Sequence, residues 1–190
     1  MSATALLVHE HRQIERVLGA LDRLAGQAAG GPGDAPALAP ALAEAVALLR
    51  GYADRAHHGK EEEHLFPALA AAGLGPGEGP VAVMLEEHEV GRRELDAVAD
   101  ALADLGAGAP DAGEDLARHV AAYTALLRDH IEKEDAVLFP MADEVVDAGA
   151  LAAGFAAADA AAFGPEGRAG WERRIDALVA TARGRASAPA

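Results

Sequence analysis

The sequence predicts an all-α protein, an up-down-up-down four-helix bundle followed by a C-terminal helical extension, and three observations carry that expectation. The 190-residue chain is 51% hydrophobic, and much of that content is alanine, which favours helix while adding little bulk. Apolar residues recur at helical spacing, as in Leu7, Ile14, Leu18 and Leu21 or Leu95, Val98 and Leu102. An eleven-residue phrase also occurs twice, 73 residues apart, so the second half of the bundle echoes the first.

Ser2 or Thr4 can cap a first helix that runs to about Gln27, and the Gly/Pro/Ala stretch from Gly30 to Pro36 reads as a loop. Pro40 suits the first turn of a second helix, which continues to Pro67 and ends near Gly73. Gly73 to Pro80 forms the next connection, Pro80 opens a third helix reaching about Leu105, and a Gly/Ala/Pro loop leads to Pro110. Asp111, with Glu114 three residues on, reads as a capping-box start for a fourth helix that runs to Pro140. Phe66-Pro67 and Phe139-Pro140 are expected to kink or break their helices. Beyond Gly149, Leu151 to Phe163 and Glu166 to Arg183 read as two more helical pieces split by Gly164-Pro165, and the last residues are expected to fray. The division is thus a bundle over residues 1–148 and an extension packed on it over 149–190.

The repeated phrase carries chemistry. Its copies run from His57 to Pro67 and from His130 to Pro140, with six identical positions: the His, a Lys, a Glu four residues after the His, and a closing Leu-Phe-Pro. Residues four apart share one helix face. Each copy therefore aims an imidazole and a carboxylate, Glu61 or Glu134, at one point, and Glu62 and Asp135 hold a second acid in the next position. A fainter repeat, Glu10-His11 and Glu87-His88, puts two more histidines on apolar stripes that face the core. Four imidazoles and two carboxylates in register form a ligand set suited to two metal ions better than one, and without cysteine that set favours iron, manganese or zinc.

Composition narrows the partners. A formal charge of −15 argues against nucleic acid or an anionic membrane surface and is compatible with attracting cations. No stretch approaches the ~18 uninterrupted apolar residues of a membrane helix, and Met1 to Leu7 lacks a basic region leading into an apolar run, so a cytoplasmic protein is expected.

The phrases at His57 and His130, with their Leu-Phe-Pro endings, resemble those of the hemerythrin-like proteins over roughly Thr4 to Val146. That resemblance implies a four-helix bundle holding a non-heme di-iron centre, carboxylate-bridged and oxo- or hydroxo-bridged. It implies His11, His57, Glu61, His88, His130 and Glu134 as metal ligands, with Glu61 and Glu134 bridging. Asp135, Glu62 and Glu15 are alternative carboxylates. Oxygen-carrying members have a second histidine where Arg92 stands and an Asp ligand at the position of Asp135, so this chain departs from them in two places. Losing a nitrogen at Arg92 is expected to open a coordination position or to change how one iron meets oxygen, which argues against reversible oxygen carriage.

Arg92 and Glu15 occupy matching positions and are expected to pair beside the metals. His119 and Tyr123 lie on the face of His130 and could form a polar gate above them. His58 and His64 fall off the central direction or one turn along it, His9 reads as surface, and Lys60 and Lys133 read as solvated helix charges. The small-molecule partners implied are oxygen, hydrogen peroxide or nitric oxide. The preferred reading is a di-iron protein reacting with oxygen or peroxide, catalase-like or protective. The alternative is a non-enzymatic sensor or iron-binding module in which Leu151, Phe155, Phe163, Trp171, Ile175 and Leu178 cover the bundle or meet a partner.

Overall fold

The computed structural model describes residues 2–30, 35–75, 77 and 79–185, and among these the protein is all-α with no strand. Its helices are α1 (Ala5–Ala29), α2 (residues 35–71), α3 (Pro80–Gly106), α4 (Ala112–Val145), α5 (Ala148–Phe163) and α6 (Gly167–Arg185). Each of the first four packs on two neighbours: α1 lies against α2 and α4, and α3 lies against the same pair. α6 crosses α1 and α2, while α5 lies on α2. Among the described residues no single helix is long and apolar enough to cross a membrane.

The apolar stripes build two separate clusters with a polar layer between them. One gathers Ile14, Leu18, Leu21, Leu49, Val98, Leu116 and Leu127. The other gathers Leu7, Leu65, Phe66, Met84, Leu138 and Phe139, and thus contains both Leu-Phe pairs of the repeated phrase. His11, between Leu7 and Ile14 on α1, lies in the gap. Water is excluded from both sides of it.

The backbone departs from a uniform α-helix where the site lies. α2 is π-helical over Leu49–His58 and again over Glu61–Leu65, and α4 is π-helical over Glu134–Leu138, the same five positions of the repeat. Phe66 N–H donates to Glu61 O and Phe139 N–H to Glu134 O, each an i to i+5 bond. Pro67 and Pro140 follow at once, and neither breaks its helix. The wider turn makes room for a ring that would otherwise crowd the carbonyl four residues back, and the helix continues.

Helix ends also differ from expectation. The Thr4 side chain does not cap α1; the Thr4 N–H is shared between Ser2 Oγ at 3.2 Å and Asp143 of α4 at 3.1 Å, and Asp143 also accepts the Ser2 hydroxyl at 2.6 Å. α2 begins at Ala35, leaving Pro40 inside the helix, not in its first turn. Asp111 adopts a left-handed conformation (φ 59°) and makes no side-chain cap, so there is no capping box. Most of the loop expected over 30–36, and the frayed end expected after residue 185, lie outside the described residues.

The C-terminal helices are clamped on. Leu151 and Phe155 join one apolar cluster, and Phe163, Ile175 and Leu178 join the other. Arg174 binds Glu44 through two nitrogens, at 2.8 and 3.2 Å, and Arg16 reaches Asp176 at 2.5 Å. Trp171 lies so close on Gly51 that a Cβ there would come 2.1 Å from the indole ring. A flat, rigid ring cannot yield by that much. Gly51→Ala should therefore lift α6 from α2 and cost about 1–3 kcal/mol in urea unfolding, and an unchanged midpoint would mean that Trp171 does not pack there.

Candidate metal centre

The polar layer is organised by four hydrogen bonds, each running from an imidazole to a carboxylate on the neighbouring helix. His57 Nδ1–H donates to Glu10 (3.1 Å), His88 Nδ1–H to Glu62 (2.7 Å), His130 Nδ1–H to Glu87 (3.0 Å) and His11 Nδ1–H to Asp135 (2.7 Å). These link α1 to α2, α2 to α3, α3 to α4 and α4 back to α1, a closed ring. Each carboxylate is in turn held by a cation: Glu10 by Lys60 and Arg168, Glu62 by Arg92, Glu87 by Lys133 and Asp135 by Arg12. Fixing Nδ1 as the proton-bearing nitrogen leaves the Nε2 lone pair for the interior.

The inward atoms form two adjoining groups that could each hold a metal ion. One is His11, His57, Glu61 and Glu134, the other His58, Glu61, His88 and His130, and within each the candidate atoms lie within 4.8 Å of one another. Glu61 belongs to both, its oxygens 3.4 Å from His57 Nε2 and 3.5 Å from His88 Nε2. Glu134 Oε2 similarly lies 3.1 Å from His11 Nε2 and 3.4 Å from His130 Nε2. His88 Nε2 and His130 Nε2 face each other at 3.2 Å. With both protons on Nδ1, two lone pairs meet there, close to the ~3 Å separating neighbouring ligand nitrogens on one metal at about 2.1 Å each.

The donor set fits a metal on a further observation. His57 Nε2, His58 Nε2, both oxygens of Glu61 and Glu134 Oε1 are buried and have no hydrogen-bond partner. An unpaired carboxylate in a dry interior costs several kcal/mol, and lone-pair nitrogens in the same space do nothing to relieve it. A cation would satisfy all of them together.

Electrostatics follow burial. Burial, and then the charge on surrounding imidazoles, pushes His57 and His58 well below the ordinary imidazole range, and burial also lowers His130. Burial acts on His11 in the same sense but is outweighed by its hydrogen bonds to Asp135 and Glu134, so His11 is raised. Burial and the adjacent Glu134 hold Glu61 well above the carboxylate range.

Of the residues singled out in the sequence, His11, His57, Glu61, His88, His130 and Glu134 are brought together. The alternative carboxylates Asp135 and Glu62 point outward and orient His11 and His88. Glu15 is turned to Arg12 at the surface, and the expected Arg92–Glu15 pair does not form: Arg92 binds Asp54, Glu62 and Glu89. Tyr123 is buried beside the second group; His119 is half-buried and belongs to neither. His9 pairs with Glu172 at the surface, and His64 lies near Phe155, away from both groups.

Two residues were misplaced by sequence reasoning. His58, at the end of the π-helical run Leu49–His58, joins the second group while its neighbour His57 joins the first. Lys60 is fully buried, not solvated. The repeated Phe also has a role that spacing did not show: Phe139 stacks on His11 with ring centroids 5.1 Å apart, and Phe66 on His88 at 5.8 Å.

A pocket of about 240 Å³ opens between α2, α3 and α4 and reaches the second group, lined by His58, His88, His130, Tyr123, Arg92 and Leu127. Burial, then the Asp54 carboxylate, raises the Tyr123 phenol, so its hydroxyl stays protonated.

The family model that matches the chain is the hemerythrin HHE cation-binding domain, over residues 2–142. Among known proteins, uncharacterized proteins of Mycobacterium bovis and Mycobacterium tuberculosis are 31% identical over 101 residues, which is 53% of this chain and 39% of each relative. The chain thus spans under half the length of the relatives it matches. No solved structure matches it.

The depressed imidazoles set a pH dependence for the metal-free protein. Unfolded histidines take up protons as pH falls through ~6.5, while His57 and His58 in the fold do not, so their contribution is full above that pH and lost below it at about 1.4 kcal/mol per unit each. Glu61 acts in the opposite sense. His58→Gln should consequently remove one such slope from urea-unfolding stabilities measured between about pH 7 and 5.5, and an identical slope in wild type and variant would contradict the depressed His58.

Proposed function

The chain belongs to the hemerythrin HHE cation-binding family, and on that footing we propose that the buried cluster holds two iron ions and reacts with oxygen or hydrogen peroxide, in a catalase-like or protective role. In this reading residues 1–148 form an up-down-up-down bundle around the ions, and 149–190 are its extension. His11, His57 and Glu134 would hold one ion and His58, His88 and His130 the other, with Glu61 available to both. The observation that carries it is the set of buried donor atoms with no partner. Manganese or zinc would satisfy the same donors.

When bound, the iron pair supplies electron exchange with an oxygen or peroxide molecule. The protein does the rest. The pocket beside Leu127 and Tyr123 admits a small molecule to the His58, His88 and His130 side, while the two apolar clusters keep bulk water from the other faces. The ring carboxylates keep the protons on Nδ1, so every Nε2 stays a donor toward the interior. Tyr123, held protonated, offers a hydroxyl proton to an oxygen atom in the pocket. A non-enzymatic iron, oxygen or nitric oxide sensor is the second reading, favoured by the ion pairs that tie Asp159 and Arg168 to the site through Lys60 and Glu10.

Metal analysis and the visible spectrum of protein from iron-supplied cells, followed by oxygen release on adding hydrogen peroxide, test the proposal. Two irons per chain with sustained release are expected. Two irons without turnover favour the sensor, and zinc alone or no metal removes the di-iron reading. Tyr123→Phe should keep both irons but lose about 100-fold or more in peroxide turnover; undiminished turnover would show that its hydroxyl takes no part.

A further inference from the structure

The repeated phrase places a lysine in each copy, and the two lysines have different surroundings. Lys133 lies near the surface with Glu87 and Asp129. Lys60 is sealed inside, 3.0 Å from Glu10 Oε1 and 2.7 Å from Asp159 Oδ1. Arg168 completes the cluster, 3.1 Å from the same Glu10 oxygen and paired with Asp159. Two acids and two bases balance in a space that admits little water. The other oxygen of Glu10 accepts the His57 Nδ1–H at 3.1 Å.

Asp159 on α5 and Arg168 at the start of α6 lie beyond the stretch that the family model matches. At the other three links of the ring, the carboxylate is held by a cation from the four long helices: Arg92, Lys133 or Arg12. Among the described residues, the extension supplies charge to the ring only at Glu10.

We propose that α5 and α6 form a working part of the metal centre: Asp159 and Arg168, with Lys60, clamp Glu10 against His57 and so set how tightly the His11 and His57 side holds its ion. This rests on the metal-binding reading above. Arg168 is a positioning residue, acting through Glu10 on the orientation of an imidazole. Removing its charge leaves Glu10 with one clamp and the cluster unbalanced, and losing the group that orients a ligating histidine typically weakens metal binding about 10- to 100-fold. The His58, His88 and His130 side, oriented by other carboxylates, is untouched.

Ferrous iron is titrated without oxygen into the metal-free, full-length protein, as wild type, Arg168→Gln, Arg168→Lys, Glu10→Gln and the double variant Arg168→Gln/Glu10→Gln. Wild type should take up two ions. Arg168→Gln should weaken one step by about 10- to 100-fold and leave the other in place, Arg168→Lys should recover it, and Arg168→Gln should add nothing in the Glu10→Gln background. Arg168→Met, which keeps an unbranched side chain but loses the guanidinium that lies over the Phe163 ring, serves if Arg168→Gln does not fold. Two unchanged steps, both steps weakened together, or full additivity with Glu10→Gln would overturn the proposal and leave the clamp as a brace for the extension. A wild type that takes up fewer than two ions overturns the metal reading, and this inference with it.

Discussion

Everything in the centre depends on the ring of four imidazole–carboxylate bonds. A histidine side chain in a helical bundle has two nitrogens and a rotatable ring, and packing alone does not choose which nitrogen faces inward. Here each choice is made by the next helix round, through Glu10, Glu62, Glu87 and Asp135. The same four bonds are contacts between neighbouring helices, so the alignment of α1 to α4 and the aim of the imidazoles are one constraint. A slip of one helix would break two bonds of the ring.

The repeats made much of this legible. Paired His-x-x-x-Glu identifies four inward groups and the fainter Glu-His repeat adds His11 and His88, while the all-helical class follows from composition and periodicity. Glu10 and Glu87 were visible only as neighbours of His11 and His88, because their role is to orient the histidine of the following helix, which no single-helix pattern encodes. The choice between Glu134 and Asp135, left open by the sequence, becomes a division of labour: Glu134 faces the interior and Asp135 holds His11.

The rest was hidden for identifiable reasons. His58 was read with α-helical periodicity, and the π-helical run over Leu49–His58 has no turn residue or glycine pair to announce it, although Gly51 lies within it. Lys60 looks solvated until α5 covers it, a contact 99 residues distant in the chain. Arg92 was paired with Glu15 by analogy of position, but the acids its guanidinium meets are Asp54 and Glu62 of the adjacent α2 and Glu89 on its own helix. Pseudo-symmetry predicts equivalents well and differences poorly: Ile131, the counterpart of His58, is an ordinary core residue.

The four outer carboxylates also differ in how they meet the solvent. Glu62 is 28% exposed, Asp135 25% and Glu87 15%, whereas Glu10 is 0% exposed beneath the extension. An acid that meets water is stabilised by solvent as well as by its cation, whereas a buried one depends on the protein's own charges. Three sides of the layer thus lead to bulk solvent through one imidazole and one acid, and the fourth ends in buried lysine and arginine. The layer is wetted on three sides and dry on the fourth, a bias set by where the last two helices lie.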